Sequence, residues 1–244
     1  MAKMTLEELV AQLRAAYGDA LRAAVLYGSA AAGEHIPRRS DYNVLVIVEA
    51  LPLEQLRAAS AVTQAWVAAG NPPPLTMTTN EWRGSADIFP MEYADILDRH
   101  RVLYGEPPFD GMAVQPADLR LEVEQQAMGK LLQLRAGVLA AGADSQRQIE
   151  LLERSLSTIM VVFRGALRLL GERPPADYAA LSRAVAVHVG FDDAAVSRVV
   201  RHVRGEEPVD AKSAAAVLAA YLGAMEALVS FLDRYTASSG ARRR

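Results

Sequence analysis

The sequence predicts an α/β (α+β) region with a mixed sheet, followed by an all-α helical bundle. In residues 1–109, short apolar or β-branched runs alternate with helical patterns, which is typical of a sheet covered by helices. In residues 116–237 the strand signals vanish, and glycines recur where helical stretches end. We therefore expect two domains, a linker near residues 108–116, and a flexible basic tail at residues 238–244.

The first region begins with a predicted capping box. Thr5 is followed three residues later by Glu8, and this pair is typical of a helix N-terminus. The helix is predicted to end near Tyr17, before Gly18. The remaining elements expected here are strands at 23–27, 42–49 and 75–79, a helix at 54–69, a short helical turn at 80–84, and an edge strand at 101–105.

The second region is predicted to contain five helices. Asp144 is a candidate N-cap for the second of them, because an aspartate side chain accepts hydrogen bonds from the first free amides of a helix. Consecutive helices separated by short breaks favour a bundle. The predicted ranges are 117–141, 145–170, 176–189, 194–203 and 211–235.

Composition excludes several classes of protein. The chain has 244 residues, of which 51% are hydrophobic and 23% charged, with a formal net charge of -3. This balance is ordinary for a soluble globular protein, and it argues against a strongly basic face for duplex nucleic acid. The chain has no cysteine, which rules out disulfides and thiolate metal sites. We expect a protein of the reducing cytoplasm.

Neither a secretory signal nor a membrane span is expected. Lys3 is followed by Glu7 and Glu8, which is not the basic and then apolar order of a signal peptide. The run that we take as the longest apolar one, at residues 159–170, is interrupted by two arginines. It is therefore too short for the roughly 20 apolar residues that a bilayer requires.

A glycine-serine pair followed by a polar strand is the most informative motif of the chain. Gly28 and Ser29 end a predicted strand, and after eleven residues Asp41 and Asn43 open the next one. Because side chains alternate along a strand, Asp41 and Asn43 share one face while Tyr42 points the other way. A β-turn followed by a capping aspartate is the simpler interpretation, but it does not explain the shared face.

This arrangement resembles the signature of the nucleotidyltransferase superfamily, which is Gly-Ser, roughly ten residues, and Asp-x-Asp or Asp-x-Glu on a strand. Asn43 stands where the second carboxylate belongs. Residues 85–93 and 95–105 resemble a group of uncharacterised bacterial nucleotidyltransferase-domain proteins, in which an aminoglycoside-nucleotidyltransferase-like domain precedes helices. The resemblance implies a nucleotidyltransferase-like fold, and transfer of a nucleoside monophosphate from an NTP to an unknown small-molecule or macromolecular acceptor.

The resemblance also implies a role for each residue of the motif. Gly28 would let the backbone approach the phosphates, and the Ser29 hydroxyl would bind them. Arg38 and Arg39, in the loop just before Asp41, are candidates for contacts with the triphosphate, to which the guanidinium group is suited. We therefore interpret these residues as a nucleotide-binding set.

Asp41 and Asn43 are the candidate catalytic and metal-binding residues. Mg²⁺ prefers hard oxygen ligands, so the amide in place of the second carboxylate is expected to weaken the site. Asp87 or Glu92 is the candidate third carboxylate, which the superfamily carries on a neighbouring strand. Three outcomes fit: catalysis with a weakened metal site, nucleotide binding without transfer, or a fold retained for contacts only.

Two further functions fit the sequence. Arg183 and His188 match the Arg, four to six residues, His spacing of the HEPN ribonuclease superfamily, although with four histidines in the chain about one such match arises by chance. The second alternative is a catalytically inactive, antitoxin-like regulatory or interaction module. The Ala- and Leu-rich helical half also permits a homodimer.

Overall fold

The computed structural model describes residues 4–28, 30–31 and 42–235. The chain folds into two compact units, Met1–Gln115 and Pro116–Arg244. Several sequence predictions lie outside the described residues. These are the roles of Ser29, Arg38, Arg39 and Asp41, and the flexible tail at residues 238–244.

The first unit is a four-stranded mixed sheet with helices. The strands lie in the order β3-β2-β1-β4, with β1 antiparallel to both β2 and β4, and β2 parallel to β3. This arrangement confirms the predicted mixed sheet and places β4 at an edge. The elements are α1 (Leu6–Tyr17), β1 (Leu21–Tyr27), β2 (Asn43–Val48), α2 (Leu53–Ala68), β3 (Leu75–Thr78), α3 (Thr79–Gly84), α4 (Pro90–Asp98) and β4 (His100–Gly105).

Capping chemistry sets where the helices of this unit begin. The predicted box is present, since the Glu8 amide donates to Thr5 Oγ1 at 3.1 Å and the Thr5 amide donates to Glu8 Oε2 at 2.8 Å. A second box, formed by Thr78 and Glu81, opens α3. Helix α4 begins at Pro90, where the missing amide costs little because the first turn has no carbonyl partner for it.

The two faces of the sheet bury different clusters. Val44, Val46 and Val48 pack against α1 and α2, in a cluster that includes Trp66 and that Tyr42 joins. Residues of the opposite parity, Leu45 and Ile47, pack on the other face together with Trp82, Tyr93 and Ile96 from α3 and α4. The parity of β2 therefore assigns Asn43 to the face that α3 and α4 cover.

The second unit is a helical bundle, as predicted. The helices packed in it are α5 (Pro116–Ala141), α6 (Ser145–Leu169), α7 (Tyr178–Val189), α8 (Ala194–Arg204) and α9 (Ala214–Arg234). Asp144 caps α6 as expected, because its Oδ1 accepts from the Gln146 and Arg147 amides. Helix α7 begins two residues later than predicted, because Asp177 is its N-cap and accepts from Ala180.

Helix α9 corrects one sequence interpretation. Its 21 residues, and not residues 159–170, form the apolar segment that is long enough to cross a membrane by length and composition, within the part of the chain that the structure describes. Buried bundle helices pass the same test. Helix α9 packs against α5, α6, α7 and α8. It buries Ala214, Val217, Leu218, Tyr221, Ala224, Met225, Leu228 and Leu232.

Candidate active site

The turn that follows β1 lies directly against the first residue of β2. Gly28 has a φ of +76°, a left-handed conformation that glycine adopts without strain. A Cβ atom at this position would lie 3.4 Å from Asn43 Nδ2. Tyr27 and Asn43 are cross-strand partners. The structure thus brings the Asn43 side chain to the Gly28 turn, at one end of the sheet.

Two amides of the turn are already used within the protein. The Gly28 amide donates to the Arg99 carbonyl at 3.2 Å, and the Ala31 amide donates to the Gly28 carbonyl at 3.1 Å. The first bond ties the turn to the junction between α4 and β4. Since both amides have protein partners, a phosphate at this turn would be bound by other groups.

Tyr27 connects the turn to the carboxylates of α4. It pairs with Asn43 on one side and with His100 of β4 on the other. Burial, and then the negative charges of Glu92 and Asp95, raise the pKa of Tyr27 to about 12. The hydroxyl is therefore neutral at physiological pH. Because charges act most strongly at short range, both carboxylates belong to the surroundings of this tyrosine.

Asp95 is a residue that the sequence analysis missed. It follows Glu92 by three residues, so the two side chains lie on the same side of α4. Glu92 is exposed, whereas Asp95 is half-buried. Had residues 90–98 been predicted as a helix, this spacing would have indicated the pair.

The two predicted third carboxylates lie in different surroundings. Neither Asp87 nor Glu92 is on a strand, in contrast to the position that the resemblance implies. Glu92 is in α4 and acts on Tyr27. Asp87 lies in the turn before α4, and its charge contributes to the raised pKa of Tyr93, after the larger effect of burial. Of the two, Glu92 is therefore the one whose charge acts on Tyr27, the residue before Gly28.

Strand β3, which pairs with β2, contains no acidic residue. Strand β3, which the structure describes in full, has the sequence Leu-Thr-Met-Thr. The Thr76 hydroxyl donates to the Pro74 carbonyl at 3.3 Å. Among residues 4–28, 30–31 and 42–235, no group of three or more His, Asp or Glu side chains is arranged to hold a metal ion.

The junction between α4 and β4 holds a buried cation. The Arg99 side chain is 9% exposed, and its Nε lies 3.4 Å from Asp98 Oδ2. His100 Nδ1 donates to the Ile96 carbonyl at 2.8 Å, and its ring packs edge-on against Phe109. These contacts fix the backbone carbonyl that anchors Gly28.

Arg183 and His188, the pair behind the ribonuclease alternative, are placed apart on α7. Five residues of helix correspond to a rotation that leaves them about 140° apart. His188 lies in the last helical turn, and its Nε2 is 2.7 Å from Glu172 Oε1. The contact with Glu172 gives His188 a structural partner at the end of α7.

The stability of the first unit is expected to fall at alkaline pH through Tyr27. A folded-state pKa near 12, compared with about 10 in the unfolded chain, stabilises the native state below pH 10. This contribution is lost as the pH rises to 12, and the loss reaches about 1.4 kcal/mol at pH 11. Tyr27→Phe should remove this part of the pH dependence.

Tryptophan fluorescence provides the measurement, because both tryptophans, Trp66 and Trp82, lie in the first unit. Urea midpoints of the wild type and Tyr27→Phe are compared between pH 8 and pH 11. Glu92→Gln should give an intermediate slope, since one of the two negative charges is removed. Parallel pH profiles for all three proteins would contradict the assignment.

The fold is nucleotidyltransferase-like, with a mixed sheet and helices followed by a helical bundle. No family model matches the sequence, and no curated protein matches it. Ten chains of solved structures match. One is a spectinomycin adenyltransferase from Enterococcus faecialis, solved with ATP and spectinomycin. It is similar over 94% of this chain and 100% of its own, with a TM-score of 0.58 and 14% identity. At that identity the likeness establishes the fold alone.

Proposed function

We propose that this protein binds a magnesium-bound nucleoside triphosphate through Gly28, Ser29, Asp41 and Asn43. The proposed chemistry is transfer of a nucleoside monophosphate to an acceptor hydroxyl or amine. The contact between Asn43 and Gly28 carries the proposal. It joins the turn and the polar strand of the motif at one end of a nucleotidyltransferase-like sheet.

The ion would be held by Asp41 and Asn43. An asparagine still offers a carbonyl oxygen, which is a ligand type that Mg²⁺ accepts. When bound, Mg²⁺ neutralises charge on the phosphates and polarises the group that is transferred. In the proposed site Asp41 supplies the carboxylate ligand, and Asn43 supplies a neutral amide oxygen.

In the proposed reaction, the carboxylates of α4 act on the acceptor. Glu92 is exposed and shares the surroundings of Tyr27 with Asp95. A carboxylate near the reacting end of the sheet can accept a proton from an acceptor hydroxyl or amine, provided that it lies within hydrogen-bond reach. We assign that role to Glu92, with Asp95 as the carboxylate that reinforces the local negative charge.

Magnesium together with an NTP is expected to raise the thermal midpoint of the first unit. A ligand that binds only the native state stabilises it by RT ln(1 + [L]/Kd), which is about 1.4 kcal/mol when the ligand is at ten times its Kd. This corresponds to a shift of a few degrees. Differential scanning fluorimetry with each of the four NTPs at millimolar concentration measures the shift.

Gly28→Ala should reduce this shift, and Gly70→Ala is its matched control. Both glycines have positive φ angles in the first unit, +76° and +95°, so both alanines bring backbone strain. Only at Gly28 would the added Cβ meet another residue, because nothing lies within 4 Å of a Cβ at Gly70. An NTP shift that survives in Gly28→Ala to the same extent as in Gly70→Ala would count against the site.

A second candidate is a nucleotide-binding module without transfer. Two observations favour it: Asn43 in place of a carboxylate, and the lack of an acidic residue on the fully described strand β3. Incubation with labelled ATP, GTP, CTP and UTP and candidate acceptors separates the two. Release of pyrophosphate supports transfer, whereas persistent binding without release supports the module.

A further inference from the structure

Helix α5 carries a line of large apolar side chains on its exposed surface. Leu121 is 67% exposed, Met128 43%, Leu132 55% and Leu139 85%. Their spacings of seven, four and seven residues keep all four within about 20° of one line along the helix, over roughly 27 Å. Single exposed apolar residues are common, but several large ones grouped on one side of a helix indicate an interaction surface.

This line, which we call the α5 stripe, is not used by the helical bundle. The residues that α5 buries against its neighbours lie between about 80° and 160° away around the helix axis, with a mean of about 140°. They are Leu119, Val123, Ala127, Leu131, Leu134 and Ala141. Helix α5 is thus apolar on two sides, whereas the packing against α6 and α9 accounts for only one of them.

The α5 stripe is symmetric about residue 130. Leu121 and Leu139 are each nine residues from this centre, and Met128 and Leu132 are each two residues from it. When two copies of such a helix pair in antiparallel orientation, residue i meets residue 260 − i of the other copy. Leu121 then meets Leu139, and Met128 meets Leu132, in a two-fold arrangement that buries every member.

The charges beside the α5 stripe are complementary in the same arrangement. Glu124 and Arg135 lie along one border, about 60° and 40° from the centre of the stripe. Across a two-fold axis, Glu124 of one copy lies within about 2 Å of the level of Arg135 of the other. Glu124 is half-buried in an ion pair with Arg120, and Arg135 is exposed in an ion pair with Glu226, so a partner copy can reach both side chains.

We propose that two copies of this chain form an antiparallel homodimer along the α5 stripe. The occupant is a second copy because both the apolar spacing and the bordering charges are self-complementary about the same centre. A single pair of helices buries less surface than the usual 800 Å² per partner. The dimer is therefore expected to have a micromolar Kd. This inference is independent of nucleotide binding.

Sedimentation equilibrium of the full chain between about 10 and 200 μM tests the dimer. The wild type should approach twice the 26.3 kDa chain mass, and Leu132→Glu should weaken association at least tenfold. Val187→Glu is the matched control, because Val187 is an 82% exposed residue of α7 outside the stripe. A wild type that stays monomeric, or a Leu132→Glu protein that dimerises normally, overturns the proposal.

Charge reversal distinguishes a contact between two copies from effects within one chain. Glu124→Arg and Arg135→Glu should each weaken association several-fold, and the double variant should restore it. The double variant still lacks both ion pairs within the chain, so restoration requires the contact between copies. Association of the double variant no stronger than that of the single variants overturns the predicted register.

Cysteine cross-linking determines the orientation, because the chain has no cysteine of its own. Met128→Cys and Leu132→Cys proteins, one carrying a mass tag, are mixed and oxidised. Antiparallel pairing predicts mainly disulfides between the two different variants. Disulfides formed mainly between identical variants indicate parallel pairing and overturn the proposal.

Discussion

Replacing Asn43 with aspartate is expected to raise the affinity for magnesium at least tenfold and to increase pyrophosphate release from NTP. The substitution adds one negative charge where the first residue of β2 meets the Gly28 turn. At an effective dielectric constant of ~20, one unit charge at ~4 Å from another is worth roughly 4 kcal/mol, and twice that against a divalent ion before solvation. A net tenfold gain requires only about 1.4 kcal/mol of this.

The same variant should be less stable than the wild type without magnesium. Residue 43 is the cross-strand partner of Tyr27, and the carboxylates of Glu92 and Asp95 already act on that tyrosine. A third carboxylate there is repelled by both. Magnesium should reverse the loss, so the difference in thermal midpoint between Asn43→Asp and the wild type changes sign as magnesium is added.

Isothermal titration with Mg²⁺ in the presence of a non-hydrolysable NTP measures the affinity. Asn80→Asp is the control. Asn80 is exposed in α3, directly after β3. The end of β3 next to it pairs with Val48, at the opposite end of β2 from Asn43. The control adds the same charge far from the Gly28 turn. Equal magnesium affinities in Asn43→Asp, Asn80→Asp and the wild type would place Asn43 outside the metal site.

Trp82→Ala is expected to cost the first unit about 3 to 5 kcal/mol of stability. Trp82 is fully buried. Its ring stacks on Tyr93 of α4 with centroids 4.1 Å apart, and its Nε1 donates to the Pro108 carbonyl at 3.2 Å. Because Tyr93 lies between Glu92 and Asp95 in the sequence, a loosened α4 should also reduce nucleotide binding.

Trp82→Phe provides the control for this effect. Phenylalanine preserves an aromatic ring against Tyr93 but removes the indole hydrogen bond, so the expected loss is about 1 to 2 kcal/mol. Urea unfolding followed through the remaining Trp66 reports on the first unit alone. If Trp82→Ala unfolded at the wild-type urea concentration, the packing of α4 would not depend on this side chain.

Most of the fold could be predicted because its patterns are long or repeated. From Tyr42 through β2, alternation places Tyr42 against the cluster of Trp66, and Leu45 and Ile47 on the opposite face. Capping chemistry sets the starts of α1 and α6, where Thr5 and Asp144 accept the first amides. In these elements the local conformational preference and the tertiary packing favour the same structure, so the structure can be predicted from the sequence.

Helix α4 could not be predicted in the same way. It has nine residues, little more than two turns, and a pattern this short does not distinguish a helix from a strand. Its position is decided by tertiary contacts, such as the stack of Tyr93 on Trp82. As a result, the three-residue spacing of Glu92 and Asp95 could be read as one side of a helix only once α4 was known.

The hydrogen bond that anchors the Gly28 turn could not be predicted from the sequence either. The bond from the Gly28 amide to the Arg99 carbonyl joins residues 71 positions apart, and it depends on backbone placement rather than on side-chain identity. No local pattern indicates such a contact. It matters for function because the Gly28 amide is not free to bind a phosphate at this turn.

Calorimetric titration of the wild type and Asp41→Ala with a magnesium-bound NTP tests the central claim most directly. We expect the wild type to bind one nucleotide per chain only when magnesium is present. Asp41→Ala should bind at least tenfold more weakly, because it removes the main negative charge of the proposed metal site. No binding of any of the four NTPs at millimolar concentration, or equal binding by Asp41→Ala, would contradict a nucleotide site at this end of the sheet.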